Sequence, residues 1–217
     1  MKKITKFLSA LLLTLLSLSA NAQISQDIIK VMNKCEEVMS NPAGVEMEIK
    51  LKTGLSVLSM NGTLISYSKG DKSFSKVSFK ILGHELKSET GYDGKQKWEI
   101  AMLGEKNRPD TLYITQHAQK QKGEYDVNFG IYNMYKKGTM KVKGNNYELT
   151  FTEPKDKDIP KKTTMLINKS NYHFYQMKAE QSGIDMTLTA SKIKFGVNDN
   201  VFKLDLNRYP DAKVIRK

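Results

Sequence analysis

Residues 45–52 read VEMEIKLK. Val45, Met47, Ile49 and Leu51 fall on one side, and Glu46, Glu48, Lys50 and Lys52 on the other. That is the period of a half-buried β-strand with one wet face. What covers the dry face decides the fold, because the rest of the chain repeats the pattern many times and offers little to cover it.

The same alternation returns downstream. In 57–67 Leu58, Met60 and Leu64 share a side, in 74–82 Val77, Phe79 and Ile81, and in KWEIAM (97–102) Trp98, Ile100 and Met102. Asp93-Gly94 marks a hairpin ahead of KWEIAM. DTLYIT (110–115) is a further short strand. Later strands carry Met140 and Val142, then Leu149 and Phe151, Met165 and Ile167, Met177, and finally Met186 and Leu188. Gly144-Asn145-Asn146, the proline-bounded stretch 153–162 and Ser182-Gly183 separate them as turns and loops. Residues 117–137 break the period of two, and Tyr125, Phe129, Tyr132 and Met134 there fit short helical turns or an ordered loop. The last twenty residues hold one short strand and a Tyr-Pro turn.

Ten or eleven strands joined by tight connections predict one antiparallel, up-and-down sheet. Strand twist accumulates, so a sheet of that length curls.

One segment is helical. From Ser25 the chain reads SQDIIKVMNKCEEVMSNP, with Ile28, Val31, Met32, Cys35, Val38 and Met39 at helical spacing. Ser25 fits the N-cap, and Asn41-Pro42 ends the helix. The expected fold is therefore mainly β: a single curled antiparallel sheet forming a half-open β-barrel. An N-terminal amphipathic helix and short helical turns plug its concave face.

Residues 1–22 are set apart from this domain, which spans 23–217. Lys2, Lys3 and Lys6 precede an apolar run, and Ala20-Asn21-Ala22 supplies small residues for cleavage after Ala22, so a signal peptide and a periplasmic location are expected. The apolar run is short for a membrane span. The single cysteine forbids an internal disulfide. Of 35 Lys and Arg residues against 23 Asp and Glu, three lie in the leader, which leaves a net charge of +9. Lysines spread along the chain, without arginine clusters, argue against a nucleic-acid partner. Strand faces such as Lys141/Lys143 and Lys192/Lys194 serve as solvated, edge-protecting surface or as a basic surface for an acidic partner.

Seven of the eleven methionines lie in these strands: Met47, Met60, Met102, Met140, Met165, Met177 and Met186. Methionine fills irregular gaps and specifies packing poorly. Two readings stand, an ordinary core that uses Met and an adaptable wall for an apolar guest. One helix covers only part of a curled sheet, and a void lined by apolar groups stays dry and binds apolar ligands.

No enzyme is expected. His84, His117 and His173 are widely spaced and form no metal-ligand motif. Asp71, Asp93 and Asp126 sit at turns, and there is no G-x-S-x-G elbow or phosphate-binding glycine loop. No cofactor or metal is implied.

The order of elements resembles that of the LolA-like periplasmic outer-membrane lipoprotein carrier family in its Bacteroidota-type version. The resemblance rests on the amphipathic helix, GTLISYSKGDKSF, the hairpin YDGKQKW and YELTFTEPK. It continues through the strand pair TTMLINKSNYHFYQMKAEQSGIDMTLTASKIKF to the closing VFKLDLNRYPDAKVI. The family's Phe-x-Gln on the first strand is VEMEIK here, and the first arginine is Arg108, so an early-strand arginine latch is missing. The resemblance implies a monomeric chaperone that binds lipoprotein acyl chains in a hydrophobic cavity. It would receive them from an inner-membrane lipoprotein-releasing transporter and deliver them to an outer-membrane acceptor. The strand residues named above would be its wall, and Ile28, Val31, Met32, Cys35 and Met39 its plug. A lipid-sensing or protein-binding module on the same fold is the alternative.

Overall fold

The computed structural model describes residues 24–55, 58–81, 84–102, 110–116, 129–181 and 183–217. The one α-helix among the described residues, α1 (Gln26–Met39), begins where the Ile28 amide donates to Ser25 Oγ at 3.4 Å and ends where the Ser40 amide donates to the Glu36 carbonyl. Ile28, Val31, Met32, Cys35 and Met39 form its buried stripe, as their spacing predicts.

Twelve strands follow: β1 (Val45–Leu55), β2 (Leu58–Lys69), β3 (Lys72–Ile81), β4 (His84–Tyr92), β5 (Lys97–Met102) and β6 (Thr111–Thr115). After a 3-10 turn at Phe129–Met134 come β7 (Tyr135–Lys143), β8 (Asn146–Pro154), β9 (Lys162–Asn168), β10 (Phe174–Gln181), β11 (Ile184–Phe195) and β12 (Lys213–Arg216). They make one unclosed sheet, the open, helix-plugged barrel that the sequence predicts, in the order β12-β6-β5-β4-β3-β2-β1-β11-β10-β9-β8-β7.

Two details depart from a plain up-and-down sheet. β1 pairs with β11, so the two meanders join there and the seam falls between the β6/β12 side and β7. The sequence loses its period of two on that same stretch of chain. β12 also pairs with β6 in parallel, because the C-terminal segment returns across the sheet before adding its strand.

Register assigns every strand residue to a face, since neighbours opposite one another share a side. Starting from Val45, Met47 and Ile49, which pack with α1, the concave face continues through Leu64 on β2 and Val77 and Phe79 on β3. On the other side it passes through Leu188, Met177, Met165 and Leu149 to Met140 on β7. The core under α1 fills this hollow from β7 to β1, with Cys35, Met32, Leu149, Phe151, Met165 and Ile167 fully buried.

A second core lies on the opposite, convex face. Phe74 pairs across to Gly91, Gly91 to Trp98, and Trp98 to Ile114. These residues, with Ile100 and Leu112, are covered by Val197, Phe202 and Tyr209 of the C-terminal strap (196–212). A Cβ at Gly91 would stand 2.1 Å from Trp98 Cζ2, so the indole occupies the space that the missing side chain leaves. The strap is also held by charge. Asp199 meets Lys69 at 2.7 Å and Lys72 at 2.9 Å, and Arg208 and Tyr209 both bond Glu89.

Candidate binding hollow on the concave face

The strands deliver an apolar concave surface that α1 covers at one end only. Along β1, Val45 and Ile49 are 3% and 0% exposed, whereas Leu51, further along the same face, is half-buried. Met60, Val77 and Phe79 are half-buried and belong to neither core. At the start of β11, Met186 and Ile184 reach 38% and 40% exposure. The surface therefore passes from sealed core to accessible apolar wall along a single face.

A cavity of about 350 Å³ opens at this end, lined among the described residues by Pro160, Ala179, Gln181, Ile184 and Met186. Its described wall is aliphatic apart from Gln181. Such a lining binds through burial of apolar area, roughly 25 cal/mol per Å², with one polar group to orient a guest. The Phe79 ring lies over Gly62, where a Cβ would stand 2.6 Å from Phe79 Cδ1, so glycine lets the aromatic lie flat against the sheet.

The structure brings most of the expected wall together. Val45, Met47, Ile49, Leu149, Phe151, Met165 and Ile167 lie in the sealed core with the helix stripe. Leu51, Leu64, Met140, Met177 and Leu188 pack at its margin, and Met60, Val77, Phe79 and Met186 extend it toward the opening. The backbones of Leu58 and Ile81 share the face by register, but their side chains lie outside the described residues.

Three expectations are corrected. Trp98 and Ile100 are 1% and 2% exposed, on the convex face beneath the strap, so they cannot line the hollow. Met102 shares their register across from Lys87, and its side chain is not described. Val142, opposite Tyr147 in the register, is 59% exposed near the end of the edge strand β7. Alternation fixes which residues share a side of one strand. It does not fix which side of a twelve-stranded sheet that is.

Ile184, Ala179, Gln181 and Pro160 join the lining without a place among the expected wall residues. Ile184 was within reach, because it stands two residues before Met186 and extends the same alternation. Pro160 was not, since a loop residue carries no period.

Several ion pairs lie on the other surface. Glu46 pairs with Lys192 at 2.9 Å, and Glu148 with Lys141 at 2.8 Å and Lys143 at 3.1 Å, all on the convex face by register. Burial raises the Cys35 thiol to about 12, with Glu36 adding to the shift, so it stays protonated and packs as a small apolar group. Of the histidines, His173 is described in full. It lies half-buried against the Phe195 ring, and burial lowers its pKa. Among the described residues no group of three or more His, Cys, Asp or Glu side chains is placed to hold a metal ion, and no helix is long and apolar enough to cross a membrane.

No protein-family model and no curated protein matches the chain. Solved structures do. An uncharacterized conserved protein from Thermus thermophilus is 13% identical, with 88% of this chain and 100% of that one covered and a TM-score of 0.53. A LolA superfamily protein from Nitrosomonas europaea is 14% identical, with 81% and 97% covered and a TM-score of 0.36. A chain of the Pseudomonas aeruginosa MucA/MucB complex is 8% identical, with 82% and 61% covered and a TM-score of 0.47. At such identities the likeness is one of fold.

Proposed function

We propose that this chain is a periplasmic carrier that holds the acyl chains of lipoproteins in its concave hollow and moves them from the inner to the outer membrane. The observation that carries the reading is the half-exposed apolar wall beyond α1, with its cavity at Ala179, Ile184 and Met186. The order of sequence elements that resembles the lipoprotein carriers supports it. Residues 1–22 act as the export signal and 23–217 as the carrier domain; the leader lies outside the described residues. The partners are an inner-membrane lipoprotein-releasing transporter and an outer-membrane acceptor, and the carrier works as a monomer.

The energetics suit transfer. Burying a dozen methylenes gains roughly 10 kcal/mol at about 0.8 kcal/mol each. A carrier must later release its cargo, so the empty hollow should satisfy part of its own apolar surface. The α1 stripe does this at one end.

The test is to isolate the mature chain from its own envelope and identify acylated material bound to it by mass spectrometry. Acylated proteins are expected. Free lipid alone would point to a lipid sensor, and a chain without apolar cargo would reject the carrier.

A further inference from the structure

The cavity has one wall that is not part of the sheet. Loop 155–161, between β8 and β9, contributes Pro160 to the lining and folds inward, so that Ile159 packs against the core under α1. Three side-chain and backbone ties hold it. The Lys155 amide donates to the Met134 carbonyl at 2.9 Å, Gln181 Nε2 donates to the Asp158 carbonyl at 3.3 Å, and Tyr135 Oη donates to the Pro160 carbonyl at 2.8 Å.

The Tyr135 contact is built into the core. The ring is 1% exposed and stacks on Phe151 at 5.8 Å between centroids. Its hydroxyl also meets Thr163 Oγ1 at 2.7 Å. A phenol has one proton, and a carbonyl only accepts, so Tyr135 gives its proton to Pro160 and Thr163 gives its own to Tyr135. The chain is polarised toward the loop. At the loop's root, Glu153 takes φ +57°, a left-handed conformation that is strained for a residue with a side chain.

Size sets the consequence. About 350 Å³ lies near the lower end of the roughly 300–1,000 Å³ range of ligand pockets. Pro160 belongs to its lining, so the position of the loop sets how wide a guest the site admits.

We propose that loop 155–161 is the movable wall of the site and that Tyr135 is the positioning residue that latches it. In the latched form the entrance is narrow enough to favour a single acyl chain, and an anchor with two or three chains enters as the loop swings outward. The inference rests on the proposed lipid-binding role and adds to it a gate and a preference by chain number.

The experiment compares the mature chain with Tyr135→Phe, which keeps the ring and removes the donor, and with Gln181→Ala, which removes a second tie outside the core. The probes are palmitate and a synthetic triacylated lipopeptide, followed by displacement of a polarity-sensitive dye. Limited trypsin cleavage after Lys155, Lys157 and Lys161 reports loop release without any ligand. Loss of one hydrogen bond should raise both the cleavage rate and the lipopeptide association rate by about twofold to tenfold in each variant, while palmitate association of Tyr135→Phe, whose ring is outside the cavity lining, changes by less than about twofold. Unchanged cleavage and unchanged lipopeptide association in both folded variants would overturn the latch while leaving the binding role intact. Faster cleavage with equal acceleration of palmitate and lipopeptide would overturn the preference by chain number. Failure of the parent chain to bind either probe would overturn the binding role, and the gate with it.

Discussion

Under α1, Met32, Cys35, Leu149, Phe151 and Met165 are wholly buried against one face of the sheet; under the C-terminal strap, Trp98, Ile100, Leu112 and Ile114 are buried just as deeply against the other. The strap ties both of its sides, through Asp199 to Lys69 and Lys72 and through Arg208 and Tyr209 to Glu89, and then adds β12 to the sheet edge. The helix covers its hollow at one end and leaves Met60, Val77 and Phe79 half-buried beyond it. Both cores stabilise the fold, and among the described residues the concave one continues into a half-buried apolar wall beyond its cover. Among the described residues, accessible apolar wall therefore marks the helix side as the place for a guest. β3 shows the exchange within one strand. Its convex side presents Phe74 to the strap, and its concave side presents Ser73 and Ser75 before turning apolar at Val77 and Phe79.

If the convex core is purely structural, emptying it should cost stability and leave lipid binding alone. Phe202→Ala removes a ring that is 1% exposed and should lower unfolding stability by about 3–5 kcal/mol in a denaturant titration. A loss below about 1 kcal/mol would mean that the strap is not a packed element. The opposite signature belongs to the open wall. Met186→Ala, at a side chain 38% exposed, should shift stability by no more than about 0.5 kcal/mol while weakening acyl-chain binding by about 1–2 kcal/mol. Equal losses in both quantities would remove the distinction between the two regions.

The smallest effect concerns the strap's ion pairs. Hydrogen bonds and charge from Lys69, then Lys72, lower the Asp199 carboxyl from 3.8 to about 2. A carboxyl depressed in the folded state contributes stability above its unfolded pKa near 4, and that contribution fades as pH falls toward 2. The pairs are solvent-exposed, so the change is modest. Melting curves from pH 5 to pH 2 should show a smaller acid loss for Asp199→Asn than for the parent chain. Identical acid slopes would show that the strap is held by Phe202 and Tyr209 without help from charge.

Much of this architecture was legible. Ser25 and the stripe from Ile28 to Met39 mark α1, and VEMEIKLK marks a strand whose dry face meets it. What local pattern could not carry was assignment to a face. Trp98 and Ile100 alternate as cleanly as Val77 and Phe79, yet register through β4 turns them outward. The clue was Gly91, directly opposite Trp98, where a glycine within a strand signals close approach. The strap residues Phe202 and Tyr209 belong to no periodic element, and their burial follows from long-range contact alone. Tyr135 was hidden for a related reason, since the helical turn at Phe129–Met134 runs straight into β7 and interrupts the alternation that would have exposed it.

The most direct measurement uses a photoreactive fatty acid with the mature chain, followed by mapping of the labelled peptides. Covalent label within 174–195, on the β10–β11 wall that carries Ala179, Ile184 and Met186, is the predicted result. Label concentrated in the strap, at 197–212, or its absence at saturating ligand, would contradict the claim that the helix-side hollow receives an acyl chain.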